Sequence, residues 1–287
     1  MSLEKYRELH SQPLAVAEIA QPLMSELGVS VTMDQDTELY MEQVRKTDPR
    51  YADSKGEERS ISRQDVQTKA HSMTDDLLIS SLMNTADSLG LTAKKYLFDE
   101  FAQSADAVLV TSGVARAIDE RTMFAVKHAE GKPVFVVGGS RKTNISDKEY
   151  LEARDLDPDY YESESDIAKL VADKYRRFSH NEINTFEPRT RKPDNLDVIR
   201  EFVLRNPAVG RLAIVTTALY VPFTSGDIGA VDAEFGADIE ARAYADESMP
   251  SKVRARKPDV YRSEVAKTLV SFARMHKAQS RRGVKKG

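Results

Sequence analysis

After residue 103 the chain alternates short apolar runs with stretches whose apolar residues recur at helical spacing, and this restricts the fold more than any other feature. Ala107–Thr111 (AVLVT) stops at Ser112-Gly113, Val134–Val137 (VFVV) at Gly138-Gly139, and Leu212–Val215 (LAIV) at Thr216-Thr217. Between and beyond them, one helical face collects Ile118, Thr122, Ala125, Val126 and Ala129. Others collect Ile167, Leu170, Val171 and Tyr175; Leu196, Ile199 and Val203; Ile228, Val231 and Phe235; and Val265, Leu269 and Phe272. Ile183–Phe186 reads as a weaker strand, and Ala237–Tyr244 alternates in the manner of a strand with one wet face. Strands alternating with helices imply right-handed crossovers and a mostly parallel sheet. Unbroken apolar strands such as VFVV and LAIV suit a sheet covered on both faces. The expected fold is α/β: a Rossmann-like, mostly parallel sheet of about five strands flanked by helices.

The first hundred residues read differently. LAVAEIAQPLMSEL and the stretch from Thr68 to Leu89 carry helical spacing, while the polar segment from Thr47 to Asp65 reads as an exposed loop. The expected division is a mostly helical region over 1–102 and a Rossmann-like domain over 103–287, ending in a helix. The terminal SRRGVKKG has no apolar face to bury, so the chain is expected to lose order after about Ser280.

Composition narrows the function classes. With 287 residues and 40% apolar content, the chain can build one large or two small cores. A formal net charge of −4 argues against a surface built to attract nucleic acid or anionic lipid. The absence of cysteine excludes disulfides, zinc–thiolate sites and cysteine nucleophiles, and suits a reducing cytoplasm. MSLEKYRELHSQP has charges throughout and does not read as a signal peptide, and no run approaches the ~20 apolar residues of a membrane helix. The five histidines, at 10, 71, 128, 180 and 276, have no metal-ligand spacing, so no metal site is expected. G-x-G-x-x-G, G-x-x-x-x-G-K-[ST] and G-x-S-x-G are all absent.

In open parallel sheets, ligands lie beyond the carboxyl ends of the strands. The strand ends here carry Gly113, Gly138, Gly139, Thr216 and Thr217, small enough for a ligand to approach the backbone, and the helix N-termini that follow favour an anion. Ser163 and Asp166 have the spacing of a capping box at a helix start, which leaves Glu164 available for a functional role. The loop from Glu187 to Asn195 reads either as a solvated turn capped by Asp194 or Asn195, or as an anion holder built from Arg189, Arg191 and Lys192.

The order of these motifs over residues 103–245 resembles the YdcF/SanA/ElyC-like proteins. Members of that family run a strand into a small turn, then an Arg-x-x-x-Ala helix, here Arg121 to Ala125. A strand into Gly-Gly follows, then a Ser-Glu-x-acid helix start, a Glu-to-Asn loop and a strand into a Thr-Ser turn. Here these are similar to Val134–Gly139, Ser163–Asp166, Glu187 to Asn195, and Leu212–Thr217 with Pro222 beyond. The chain departs from the pattern at Lys192, Tyr220 and Phe223, where the family often has Thr, His and Arg; a mechanism resting on that His could not operate here. Ser140–Tyr161 is a polar insertion at the rim. The resemblance implies a Rossmann-like fold of the soluble type and a small-molecule ligand, with S-adenosylmethionine as candidate cofactor.

Together these observations give ligand-binding candidates Gly113, Arg121, Gly138, Gly139, Ser163, Glu164, Asn195, Thr216 and Thr217. Three readings remain open. The chain binds a nucleotide-type ligand, as a transferase in one version. It is a hydrolase or glycosyl-type enzyme on a nucleoside or sugar, with Glu164 or Glu187 as acid or base. Or it is a non-catalytic interaction module.

Overall fold

The computed structural model describes residues 3–49, 75–93, 96, 98–190, 194–236, 239–245 and 258–285. The chain forms two compact units. One gathers Met1–Ala93, Leu219–Glu234 and Val253–Gly287; the other gathers Lys94–Ala218 and Phe235–Lys252. Sequence pattern places one boundary near residue 103. In the structure the helical unit instead takes in two later segments, because the C-terminal helix buries its apolar stripe on N-terminal helices.

The sheet unit holds five strands: β1 (Ala107–Val110), β2 (Val134–Val137), β3 (Ile183–Phe186), β4 (Arg211–Val215) and β5 (Glu240–Tyr244). All pair in parallel, in the order β3-β2-β1-β4-β5. The three apolar runs are adjacent, as their continuity requires: β1 lies between β2 and β4, and all of its residues are fully buried. At the edge, only Glu240 of β5 is exposed and the next three residues are half-buried; Ala237 and Asp238, in the stretch read as alternating, lie outside the described residues. This is the doubly wound arrangement: the chain builds outward from β1 through β2 to β3, then returns to place β4 on β1's other side. The point of reversal therefore lies between the carboxyl ends of β1 and β4. Asp106 fixes the opposite end, accepting from the backbone N–H groups of Gly210 (2.9 Å) and Arg211 (2.8 Å).

In the helical unit lie α1 (Leu3–His10), α2 (Pro13–Glu26), α3 (Thr37–Thr47) and α4 (Asp76–Ser88). With them are α10 (Val221–Phe235), all but its last residue, and α11 (Pro258–Lys285). The sheet unit contributes α5 (Glu100–Ser104), α6 (Ala115–His128), α7 (Ile145–Glu152), α8 (Glu164–Arg176) and α9 (Asn195–Arg205). Helix α11 packs against α2, α3 and α4. Its stripe of Val265, Leu269 and Phe272 is fully buried, at about 1.5–3 kcal/mol for each such side chain. Helix α11 continues to Lys285, where order was expected to fail after about Ser280; Arg281 is exposed. Of the polar segment from Thr47, only 47–49 are described. Thr47 closes α3 and, like Asp48, is buried rather than exposed, because its hydroxyl turns back to donate to the Val44 carbonyl at 2.7 Å. Of the stretch from Thr68, residues 68–74 lie outside the described residues and Asp76–Ser88 is helical. No helix among the described residues is long and apolar enough to cross a membrane.

His10 is buried in the helical unit, edge-on to Phe272 with ring centroids 5.0 Å apart. Burial pushes its pKa down to about 3, a shift that a backbone hydrogen bond with Leu89 partly opposes. Between that value and 6.5 the unfolded chain therefore binds a proton that the folded chain excludes. Stability from His10 is present above pH 6.5 and declines as the pH falls through this window. His10→Gln is expected to remove that component, so the melting-temperature difference should shift in the variant's favour between pH 7 and pH 5. Parallel melting-temperature profiles for the two proteins would contradict the assignment.

Candidate functional site

The carboxyl ends of β1 and β4 are tied together by one side chain. Beyond β1, the N–H and hydroxyl of Thr111 both donate to the Val215 carbonyl, at 2.9 and 3.1 Å, which prolongs the β1–β4 ladder. Arg121, in the second turn of α6, is only 3% exposed and turns back over this end. One terminal nitrogen donates to the Thr111 and Ser112 carbonyls (2.8 and 2.5 Å), the other to the Thr217 hydroxyl (2.7 Å). Arg121 thus occupies the point of reversal, and Thr217 Oγ1 serves it as acceptor. A Cβ on Gly113 would stand 3.1 Å from this guanidinium, so Gly113 leaves room for Arg121. Thr216 is buried, and its N–H donates to the Tyr244 carbonyl at 2.9 Å.

The segment Ser140–Tyr161 does more than reshape a rim, because it supplies two buried or half-buried charges that pattern reading did not select. Its helix α7 starts on a capping box in which Asn144 and Asp147 bond one another's backbone N–H. Asp147 is fully buried. Its second task is to accept the Ala115 N–H at 2.7 Å, at the start of α6, where Val114 offers no side-chain cap. Arg141 binds Asp147 Oδ2 (3.0 Å), Glu164 Oε1 through Nε (2.9 Å) and the Gly113 carbonyl (3.2 Å). Arg141 therefore connects the turns after β1 and β2 to the start of α8. The polar reading of this segment announced neither the helix start at Asn144 nor the bond to Ala115.

Glu164 is 6% exposed, and one of its oxygens stands over Gly139: a Cβ built on Gly139 would lie 2.5 Å from Glu164 Oε2. Gly138, its neighbour, has another role. Its Cβ would meet Ser165 Cα at 2.6 Å and the Ala168 methyl at 3.0 Å, so α8 fills the space expected to serve a ligand. Ser163 caps α8 as its spacing predicts, in a box with Asp166. The first N–H groups of α8 are committed to the protein: Glu164 N–H to the Arg141 carbonyl, Ser165 N–H to that of Gly139, and Asp166 N–H to Ser163 Oγ. This helix start, expected to favour an anion, thus offers none of these three donors to a ligand.

The remaining candidates belong to the β3 end of the sheet, on the far side of β2. Glu187 is exposed, and its carbonyl accepts from Arg205 at 2.9 Å. Asn195 is the half-buried first residue of α9, whose cap is Asp194 in a capping box with Asp197. Arg189 is exposed, and its N–H donates to the Glu201 carboxylate. Arg191 and Lys192, read as an anion holder, lie outside the described residues. Tyr220 and Phe223 fall in the helical unit, with ring centroids 5.6 Å apart.

Electrostatically, two guanidiniums, Arg121 and Arg141, face two carboxylates, Asp147 and Glu164. Burial pushes Glu164 above the usual carboxyl range; Arg141 opposes this, Asp147 adds to it, and Arg121 offsets it slightly. A shielded carboxyl with a raised pKa can accept a hydrogen bond when ionised and donate a proton when neutral.

The two glycines should separate on substitution. Gly138→Ala meets backbone and is expected to cost about 1–3 kcal/mol in urea unfolding. Gly139→Ala meets only the end of a flexible side chain and should cost less. Arg121→Met removes the donor from two carbonyls and two hydroxyls, and should cost on the order of 1–3 kcal/mol. Equal costs at both glycines, or an unchanged midpoint for Arg121→Met, would contradict this geometry.

Comparison with protein-family models, curated proteins and solved structures finds no match to the chain.

Proposed function

We propose that the sheet unit binds a small nucleotide-type ligand across the carboxyl ends of β2, β1 and β4, and that it does so as a YdcF-like protein. The observation that carries this reading is the Glu164 carboxylate, largely buried as a side chain, whose Oε2 stands over Gly139 beside the sheet's point of reversal. Doubly wound sheets take their ligands there. Gly113 and Gly139 border the proposed site, and Thr217 and Arg121 form its floor. Asn195 would extend it toward β3. S-adenosylmethionine is the cofactor that the family resemblance suggests, and a transferase is the corresponding activity. A chain without cysteine fits a reducing compartment, so we place the protein in the cytoplasm.

A second reading is favoured by the upward shift of the Glu164 carboxyl, which suits a general acid. In it the protein is a hydrolase or glycosyl-type enzyme on a nucleoside or sugar. Loss of turnover of such a substrate in Glu164→Gln, with binding retained, would select it over the first.

Mass spectrometry of small molecules retained by the purified protein, followed by a thermal-shift screen of nucleosides, nucleotides and S-adenosylmethionine, tests the principal reading. A true ligand at a hundred times its Kd stabilises by about 2.7 kcal/mol. Gly139→Val displaces the Glu164 carboxylate and should abolish that shift while the variant stays folded. A protein that retains nothing and responds to no compound would end the reading.

A further inference from the structure

The four charges at the carboxyl ends of β1 and β2 form a nearly closed set. Arg121 donates to two carbonyls and two hydroxyls. Arg141 is spent on Glu164, Asp147 and the Gly113 and Lys142 carbonyls. The start of α6, where a doubly wound fold would seat a phosphate, already holds an anion of the protein's own, Asp147 bonded to the Ala115 N–H. The early donors of α8 are spent as well. One strong acceptor is left over: Glu164 Oε1 takes Arg141, and no hydrogen bond among the described residues reaches Oε2.

We infer that this end of the sheet receives a ribose-type hydroxyl group, donated to Glu164 Oε2 over Gly139, and that it rejects phosphate. The inference rests on the nucleotide-type reading above and narrows it to nucleosides and to ligands without a phosphate at this position. In doubly wound sheets an acidic side chain beside the second strand characteristically holds ribose hydroxyls. Glu164 reaches the same place from the start of α8, leaning over the residue pair that ends β2. A phosphate brought here would meet two carboxylates, Asp147 and Glu164, whose balancing guanidiniums are already bonded. A ligand hydroxyl would give this oxygen a donor in place of water. Asp147 is then a positioning residue that acts through charge on what the α6 start admits.

The test is isothermal titration of the full chain with adenosine, 2′,3′-dideoxyadenosine and AMP, repeated with guanosine, uridine and their counterparts. At least one nucleoside should bind about tenfold or more tightly than its monophosphate. Removing the ribose hydroxyls, or Glu164→Gln, should weaken that nucleoside by on the order of tenfold. Asp147→Asn should narrow the gap between nucleoside and monophosphate, a change that damage to the fold alone would not produce. If that variant does not fold, the nucleoside-to-monophosphate comparison on the unaltered protein decides alone. Tighter binding of the monophosphate, or a dideoxynucleoside equal to its parent, would overturn the inference while leaving the nucleotide-type reading in place. Silence from every nucleoside and nucleotide would overturn both.

Discussion

Arg121 is a cation placed where the sheet reverses direction, with almost no access to water. Burying a charge is tolerable only when protein groups replace its hydration. Here the replacements are chain carbonyls and the Thr111 hydroxyl at the end of β1 and the Thr217 hydroxyl at the end of β4. The bond works in both directions: it satisfies those edge acceptors, and it fixes the spacing of the two turns. A lysine could supply the charge but not the planar fork that reaches both turns at once. The shape of the β1–β4 crevice is therefore set by this guanidinium, and the other charged groups are arranged around a floor it has made.

The second layer comes from Ser140–Tyr161. An antiparallel bridge between Lys142 and Ser163 closes this segment at its base, and the Thr143 N–H donates to the Glu162 carbonyl beside it. The closure brings Arg141 and Asp147 back over β1 and β2. Asp147 serves two helices at once, capping its own and accepting from the first residue of α6. Its negative end at an N-terminus is favourable by the helix dipole, and Arg141 completes its hydrogen bonding. The insertion is thus part of what holds the turns after β1 and β2.

How much of this was legible follows from where the signal resides. Apolar continuity in VFVV and LAIV reports burial on both faces, so strand positions and their parallel adjacency could be read directly. The Ser163–Asp166 box was legible because capping is local. Arg141 and Asp147 were not, because their partners lie at long range and their own segment reads only as polar. Gly138 and Gly139 are indistinguishable in sequence; one faces α8 backbone and the other a carboxylate, a difference set by the strand's alternation and by which helix packs there. The helical stripe of α11 was visible, but a stripe carries no label for the surface that will cover it.

Glu164 brings these levels together. The capping box of Ser163 and Asp166 fixes the first turn of α8, so the Glu164 side chain leaves the helix at a defined point. The absence of a side chain at Gly139 lets its carboxylate settle against the end of β2. The same burial that puts the oxygen over the strand end also makes its charge costly, and Arg141 answers only one of its two oxygens. Any group that donates to the other oxygen would stabilise the ionised form and draw the pKa back toward the usual carboxyl range. Occupancy at Oε2 and the protonation of Glu164 are consequently linked equilibria, whatever the donor. Holding a hydroxyl and delivering a proton are two uses of one desolvated carboxyl, separated by whether the donor arrives before or after the proton leaves.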